Sequence, residues 1–306
     1  MQAPVPFDLD LTVRSHGWYD LPPWRYDPGR RMLGRPLLLE PGRTVFAEVA
    51  EGGAPGGLVV RLAAERRLSA GEARAARAQL RACLGLDEDL APFYRRIDEL
   101  ERSGGRDLPR LGWAGRRGAG RLLRSPTVFE DAVKTLCTTN CTWSLTRTIV
   151  ANLVERLGEP APHGTRAFPT PEAMARRPER FYRETIRAGY RAPFLRTLAR
   201  ESASGRLDLE AWRGSRLTTA ELGERIGALQ GFGPYATEHL LRLLGRHEHL
   251  ALDSWNRKKL AALRGRRRPP SDRALRRWYA PYGEWAGLAM WLEATADWHG
   301  DESTWP

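Results

Sequence analysis

Two hydrophobic periodicities occupy separate parts of this chain, and that separation restricts the fold more than any single motif. Strand-like segments are confined to Pro36–Leu62, where PLLLE, TVFAEVA and GLVVRL are divided by the turn-forming PGR and EGGAPGG. Helical signals take over at Ser69, which with Glu72 three residues on makes a capping box ahead of an Ala/Arg-rich stretch ending near Cys83. Strands first and helices afterwards make an α+β fold, not an alternating α/β one. We expect a small N-terminal antiparallel β-sheet domain over residues 1–115, followed by an all-helical body over 116–306.

Within the body, the spacing of Val128, Phe129, Ala132, Val133 and Leu136 marks one core-facing helix, and Leu145, Ile149, Leu153 and Leu157 mark a second. Upstream, a helix is expected over Asp87–Glu101, and the Gly/Arg-rich stretch 103–120 reads as a connection. Downstream, helices are expected over 171–174, 178–188, 193–202, 219–229, 234–244, 254–263, 271–279 and 282–298. The basic tract LRGRRRPP, residues 263–270, reads as a solvated loop.

Charge narrows the partners. Lys+Arg is 49 against 37 Asp+Glu, a net charge of +12 that points to a polyanion such as nucleic acid. Nearly all of the basic residues are arginine, the lysines being Lys134, Lys258 and Lys259. A GC-rich genome accounts for the arginine but not for the excess of positive charge. No stretch approaches the roughly 18 apolar residues of a membrane span, and the start lacks a signal-peptide pattern. Cys83, Cys137 and Cys141 are too few for a disulfide framework or a four-thiolate cluster. These observations predict an intracellular protein without a bound metal.

The segment with most chemistry is LQGFGPYATEHLL, residues 229–241. Gly231 and Gly233 permit a sharp turn and close backbone approach, and Pro234 suits the first turn of a new helix. Such a hairpin offers backbone amides to an anion at a helix N-terminus. Twenty residues after Gly233, Asp253 stands in LALDSWNRKK, where it also suits an N-cap.

The pattern L-x-G-F-G-P, then a helix, then a lone Asp, resembles the helix-hairpin-helix (HhH-GPD) base-excision DNA glycosylases. GRLLRSPTVFEDAVKTLCTTNCTW (120–143), FPTPEAMA, AGYRAPFL (188–195) and YGEWAGLAMWL (282–292) are similar, in order, to segments of the 8-oxoguanine branch, and FDLDLTV is similar to its N-terminal domain. The resemblance implies a helical HhH-GPD body, double-stranded DNA containing a damaged base as partner, and a monomer working in the cytoplasm at the bacterial nucleoid.

It also implies roles residue by residue. Asp253 matches the catalytic carboxylate, which stabilises the cationic sugar left as the base departs. Tyr235 stands where lyase-active members carry a Schiff-base lysine, so a monofunctional enzyme is expected. Tyr235 and His239, four apart on one helix, match aromatic residues of the base pocket in alkylpurine glycosylases. Met290 replaces the glutamine that reads 8-oxoguanine, and Ala294 the aromatic residue expected four positions later, which shifts the expectation towards alkylated purines. Asn140, Tyr190 and Arg191 match residues that fill the gap in the duplex and contact the opposite base, and Leu145 replaces a further reader. Gly231 and Gly233 are expected to face DNA, with a monovalent cation on hairpin carbonyls and no other cofactor. An 8-oxoguanine enzyme and a non-catalytic DNA-binding module are the competing expectations.

Overall fold

A computed structural model of the protein describes residues 1–104 and 108–299. The sheet lies where the alternating segments place it, with strands β2 (Met32–Glu40), β3 (Arg43–Glu51) and β4 (Leu58–Ala63). A short strand that the pattern does not announce, β1 (Arg25–Asp27), extends it to the antiparallel order β1-β2-β3-β4. In the β2–β3 register Leu33 faces Val49, Arg35 faces Ala47 and Leu37 faces Val45, so these residues share one buried face.

That face meets two partners. Helix α2 (Ala70–Cys83), opened by the reciprocal Ser69–Glu72 box, packs Ala76 and Leu80 on Leu37, Val45 and Ala47. Leu33 and Val49 join the main core with the helical body. Between them lies Arg35, buried but paired with Glu130 at 2.8 Å and stacked 4.5 Å over the Trp24 ring; Glu130 also holds the buried Lys134 at 2.6 Å. Opposite charges and full hydrogen bonding are what make such burial tolerable.

Ahead of the sheet, a further unanticipated helix, α1 (Leu9–Val13), is capped by Asp8. After α2 come α3 (Ala91–Arg102) and α4 (Gly112–Arg117). Thus the stretch expected to be a connection contains a short helix, which buries Trp113 and Ala114; residues 105–107 lie outside those described. The body is built around α5 (Val128–Thr138), buried from Val128 through Cys137. A helix buried on nearly every side belongs inside a bundle, and its charged residues Glu130, Asp131 and Lys134 are met there by partners. Its first turn is tied down from two sides, because Thr127 accepts from the Glu130 amide and Glu210 accepts from the amides of Val128 and Phe129.

Around it stand α6 (Trp143–Leu157), α7 (Pro171–Ala175), α8 (Glu179–Glu184), α9 (Ala192–Ala203), α10 (Thr219–Gly227) and α11 (Pro234–Leu243). Three later helices, α12 (Ser254–Leu263), α13 (Asp272–Tyr279) and α14 (Ala286–Thr295), form a second core with α3 and α4. The single helix expected over 282–298 is three pieces: Gly283, at φ 59°, interrupts the chain, and 3-10 turns flank α14. The tract 263–270 is an exposed loop beyond Arg264, as its composition predicts. Among the described residues no helix is long and apolar enough to cross a membrane.

Candidate active site

The hairpin joins α10 to α11. Gly231 takes φ +89°, and a Cβ there would sit 2.7 Å from a Phe194 ring carbon and 2.9 Å from Leu136, so both backbone angle and space demand glycine. Gly233 is different. It caps α11 with φ −78° and ψ −177°, open to any residue, and nothing lies within 4 Å of where its Cβ would be. Phe232 between them is buried and anchors the turn. The first turn of α11, opened by Pro234, therefore leaves amides free of intrahelical partners at an exposed tip.

Just below the tip, α11 presents Tyr235 and His239 on one face, their rings stacked at 5.8 Å and 19°. Both line a cavity of about 740 Å³. Asp253 reaches the same cavity from the N-cap of α12, its Oδ1 accepting from the Asn256 amide at 2.7 Å while Asn256 returns the bond to the Asp253 amide. Oδ2 has no hydrogen-bond partner and the carboxylate no ion pair among the described residues. The capping box fixes the direction of the carboxylate, so the helix start and the site use one side chain.

Arg14, Asp20, Thr138, Cys141, Thr146 and Asp297 line it too, together with aromatic residues that no local signal in the sequence brings together. Trp255 of α12, Trp291 of α14 and Trp298 beyond it meet at ring separations of 5.4–6.1 Å. Trp18 closes the inner end, edge-on to His239 at 5.2 Å, with its indole N–H donating to Asp131. His16 lies beside it. Burial pushes the Tyr235 phenol up to about 12, helped by the Asp253 charge, and pushes the His16 imidazole down to about 3; His239 is held well below its ordinary value, first by burial. Both rings are neutral at physiological pH. Behind Trp291 the Arg242 guanidinium lies 5.0 Å over the indole and donates to the Leu250 carbonyl.

Two expected site residues need correction. Met290 is 0% exposed and packed in the second core, so it does not line the cavity. One residue further round α14, Trp291 does, and its indole N–H is tied to the Ser15 carbonyl at 2.7 Å. Ala294 is likewise core, and Glu293 turns away to Arg264 and Tyr279. Arg191 is 3% exposed, donating to the Thr139 carbonyl and lying 4.5 Å over the Tyr190 ring, so it stands behind these neighbours and not on the surface with them.

Those neighbours do share a surface. Tyr190 is 46% exposed, its hydroxyl bonded at Thr139 and 3.4 Å from the Asn140 amide nitrogen, and Asn140 is exposed with φ 46°. Among the described residues no lysine lines the cavity: Lys134 is enclosed with Glu130, Lys258 is exposed, and Lys259 pairs at 2.6 Å with Asp297, a residue of the cavity wall. Among the described residues no cluster of His, Cys, Asp and Glu is arranged for a metal ion. Of the hairpin carbonyls, Leu229 accepts from the Phe232 amide.

No protein-family model matches the chain, and no curated sequence does. Solved structures do resemble it. The 3-methyladenine DNA glycosylase of Archaeoglobus fulgidus aligns over 99% of each chain with TM-score 0.76 and 21% identity. The 8-oxoguanine glycosylase/lyase of Clostridium acetobutylicum, bound to double-stranded DNA with cytosine opposite 8-oxoguanine, aligns over 96% of this chain and 92% of its own, with TM-score 0.69 and 18% identity. The likeness takes in sheet, helical body and hairpin together: this chain has the fold of the helix-hairpin-helix DNA glycosylases.

Proposed function

We propose that the protein is a monofunctional DNA glycosylase that removes a damaged purine, preferably an alkylated one, from duplex DNA. The observation that carries this reading is the Asp253 carboxylate, held by its capping box at a cavity whose wall also carries indole, phenol and imidazole rings. Flat rings suit a flat base, and about 740 Å³ lies within the usual range for a ligand site.

In this reading the hairpin tip and the net charge of +12 hold the phosphate backbone. Tyr190 and Asn140 occupy the gap left when the nucleotide swings out, at an unstacking cost of a few kcal/mol. The base enters between the aromatic walls. As its bond to C1′ lengthens, the sugar gains positive charge, which Asp253 stabilises while orienting the water that adds to C1′. The base leaves with the bonding electrons, and the water proton is released as the new C1′–OH forms.

An alkylated purine carrying positive charge gains roughly 0.5–2 kcal/mol from such rings that a neutral oxidised purine does not. Asp253 adds to this preference. Release of 3-methyladenine or 7-methylguanine should therefore exceed release of 8-oxoguanine opposite cytosine in side-by-side single-turnover assays, and Tyr235→Ala should reduce it sharply. Faster removal of 8-oxoguanine would reject the alkylpurine preference.

No amine replaces the missing lysine at Tyr235. Borohydride should trap no covalent protein–DNA adduct, and strand breaks should need added alkali. Lys259 is the control because its partner Asp297 lines the cavity. Trapping that vanished in Lys259→Ala would replace the monofunctional reading with a lyase.

A further inference from the structure

One group at the inner end of the cavity has no part in the reaction just described. His16 Nε2 lies 2.5 Å from the Leu123 carbonyl oxygen, which can only accept, so Nε2 carries the proton and Nδ1 is a bare lone pair. That Nδ1 is buried without a hydrogen-bond partner among the described residues, in a ring that lines the cavity. A buried acceptor left unmet is costly. His239 Nε2 is also unmet, 6.0 Å away between ring centres, but His239 makes ring contacts with Tyr235, Trp18 and His16 and, among the described residues, no hydrogen bond that would fix its tautomer. The polarity of His16 alone is set by the fold.

We propose that His16 Nδ1 is the acceptor that reads an N–H donor on the edge of the flipped base, making His16 a specificity-determining residue. This rests on the cavity being the base pocket proposed above. Purine lesions that keep an amino or ring N–H are then accepted. Those in which alkylation has removed every such donor, as in 1,N6-ethenoadenine, leave Nδ1 unmet and are rejected. Sites built to bond a donor discriminate strongly against analogues lacking it, because the protein group stays unpaired.

The test compares single-turnover release of 7-methylguanine and ethenoadenine from otherwise identical duplexes by the wild-type protein, His16→Phe and His16→Gln. Intrinsic bond lability cancels when the ratio of the two rates is compared between proteins. His16→Phe, which keeps a ring but no nitrogen, should shrink the ratio at least tenfold. His16→Gln, with an amide that offers both a donor and an acceptor, should keep most of it. An unchanged ratio in folded His16→Phe overturns the proposal. If His16→Phe does not fold, tryptophan fluorescence reads binding of free 3-methyladenine and its N6,N6-dimethyl derivative to the wild-type protein. At least tenfold weaker binding of the derivative supports the assignment, and equal binding overturns it. A wild-type protein that releases no damaged base would sink the glycosylase reading instead, and the free-base comparison would still decide the role of His16.

Discussion

Asp253→Asn is expected to slow base release by at least about a hundredfold, a barrier increase of roughly 3 kcal/mol, while duplex binding stays within a few-fold of wild type. The substitution is clean for a structural reason. Asp253 also opens α12, and an asparagine carbonyl can accept from the Asn256 amide as the carboxylate now does at 2.7 Å. Asn and Asp are comparable N-caps, so the helix start survives and only the charge is removed. Single-turnover rates on the best alkylated duplex, beside thermal unfolding, separate the two effects. Release at the wild-type rate would remove Asp253 from the chemistry and favour a DNA-binding protein without turnover.

The two hairpin glycines should part company equally sharply. Gly231→Ala forces a Cβ to within 2.7 Å of Phe194 at φ +89°, so overpacking and backbone strain add. A loss of about 2 kcal/mol or more is expected, seen as a drop in Tm of several degrees. At Gly233→Val the new Cβ meets no atom and no forbidden angle, and only glycine's preference as an N-cap is lost, so Tm should fall by less than in Gly231→Ala. Affinity should nevertheless fall about tenfold or more, and equally for damaged and undamaged duplexes, because the new side chain occupies the space where a phosphate would approach the α11 amides. Wild-type binding by Gly233→Val would show that DNA lies elsewhere, and a loss confined to one lesion would place this glycine in the base pocket.

Local signals carried much of the architecture. The Ser69–Glu72 box, the turns around Pro36–Leu62 and the Pro234 helix start depend on neighbours in sequence, and each is present in the structure. The strand β1 carries no such signal: three residues long, it is held by pairing Arg25 with Gly34 and Tyr26 with Leu33. Asp253 could be singled out because it follows the hairpin and its helix as the carboxylate does in the glycosylases the sequence resembles, and helix capping fixes its direction. The tryptophans around it could not, since their convergence depends on the packing of elements far apart in the chain. The match to the glutamine of the 8-oxoguanine branch points to Met290, but here that side chain packs in the second core and Trp291, one residue on, lines the cavity.

The bond from Trp291 to the Ser15 carbonyl joins positions 276 residues apart. His16 and Trp18 are synthesised well before Trp291 and Trp298. A nascent chain that has already made its hairpin and Asp253 therefore still lacks the far wall of the cavity. Contacts of such separation are slow to form and come late in folding. The chamber therefore closes only when two distant parts of the chain have packed together, and under the proposed function a base would be held only after that step.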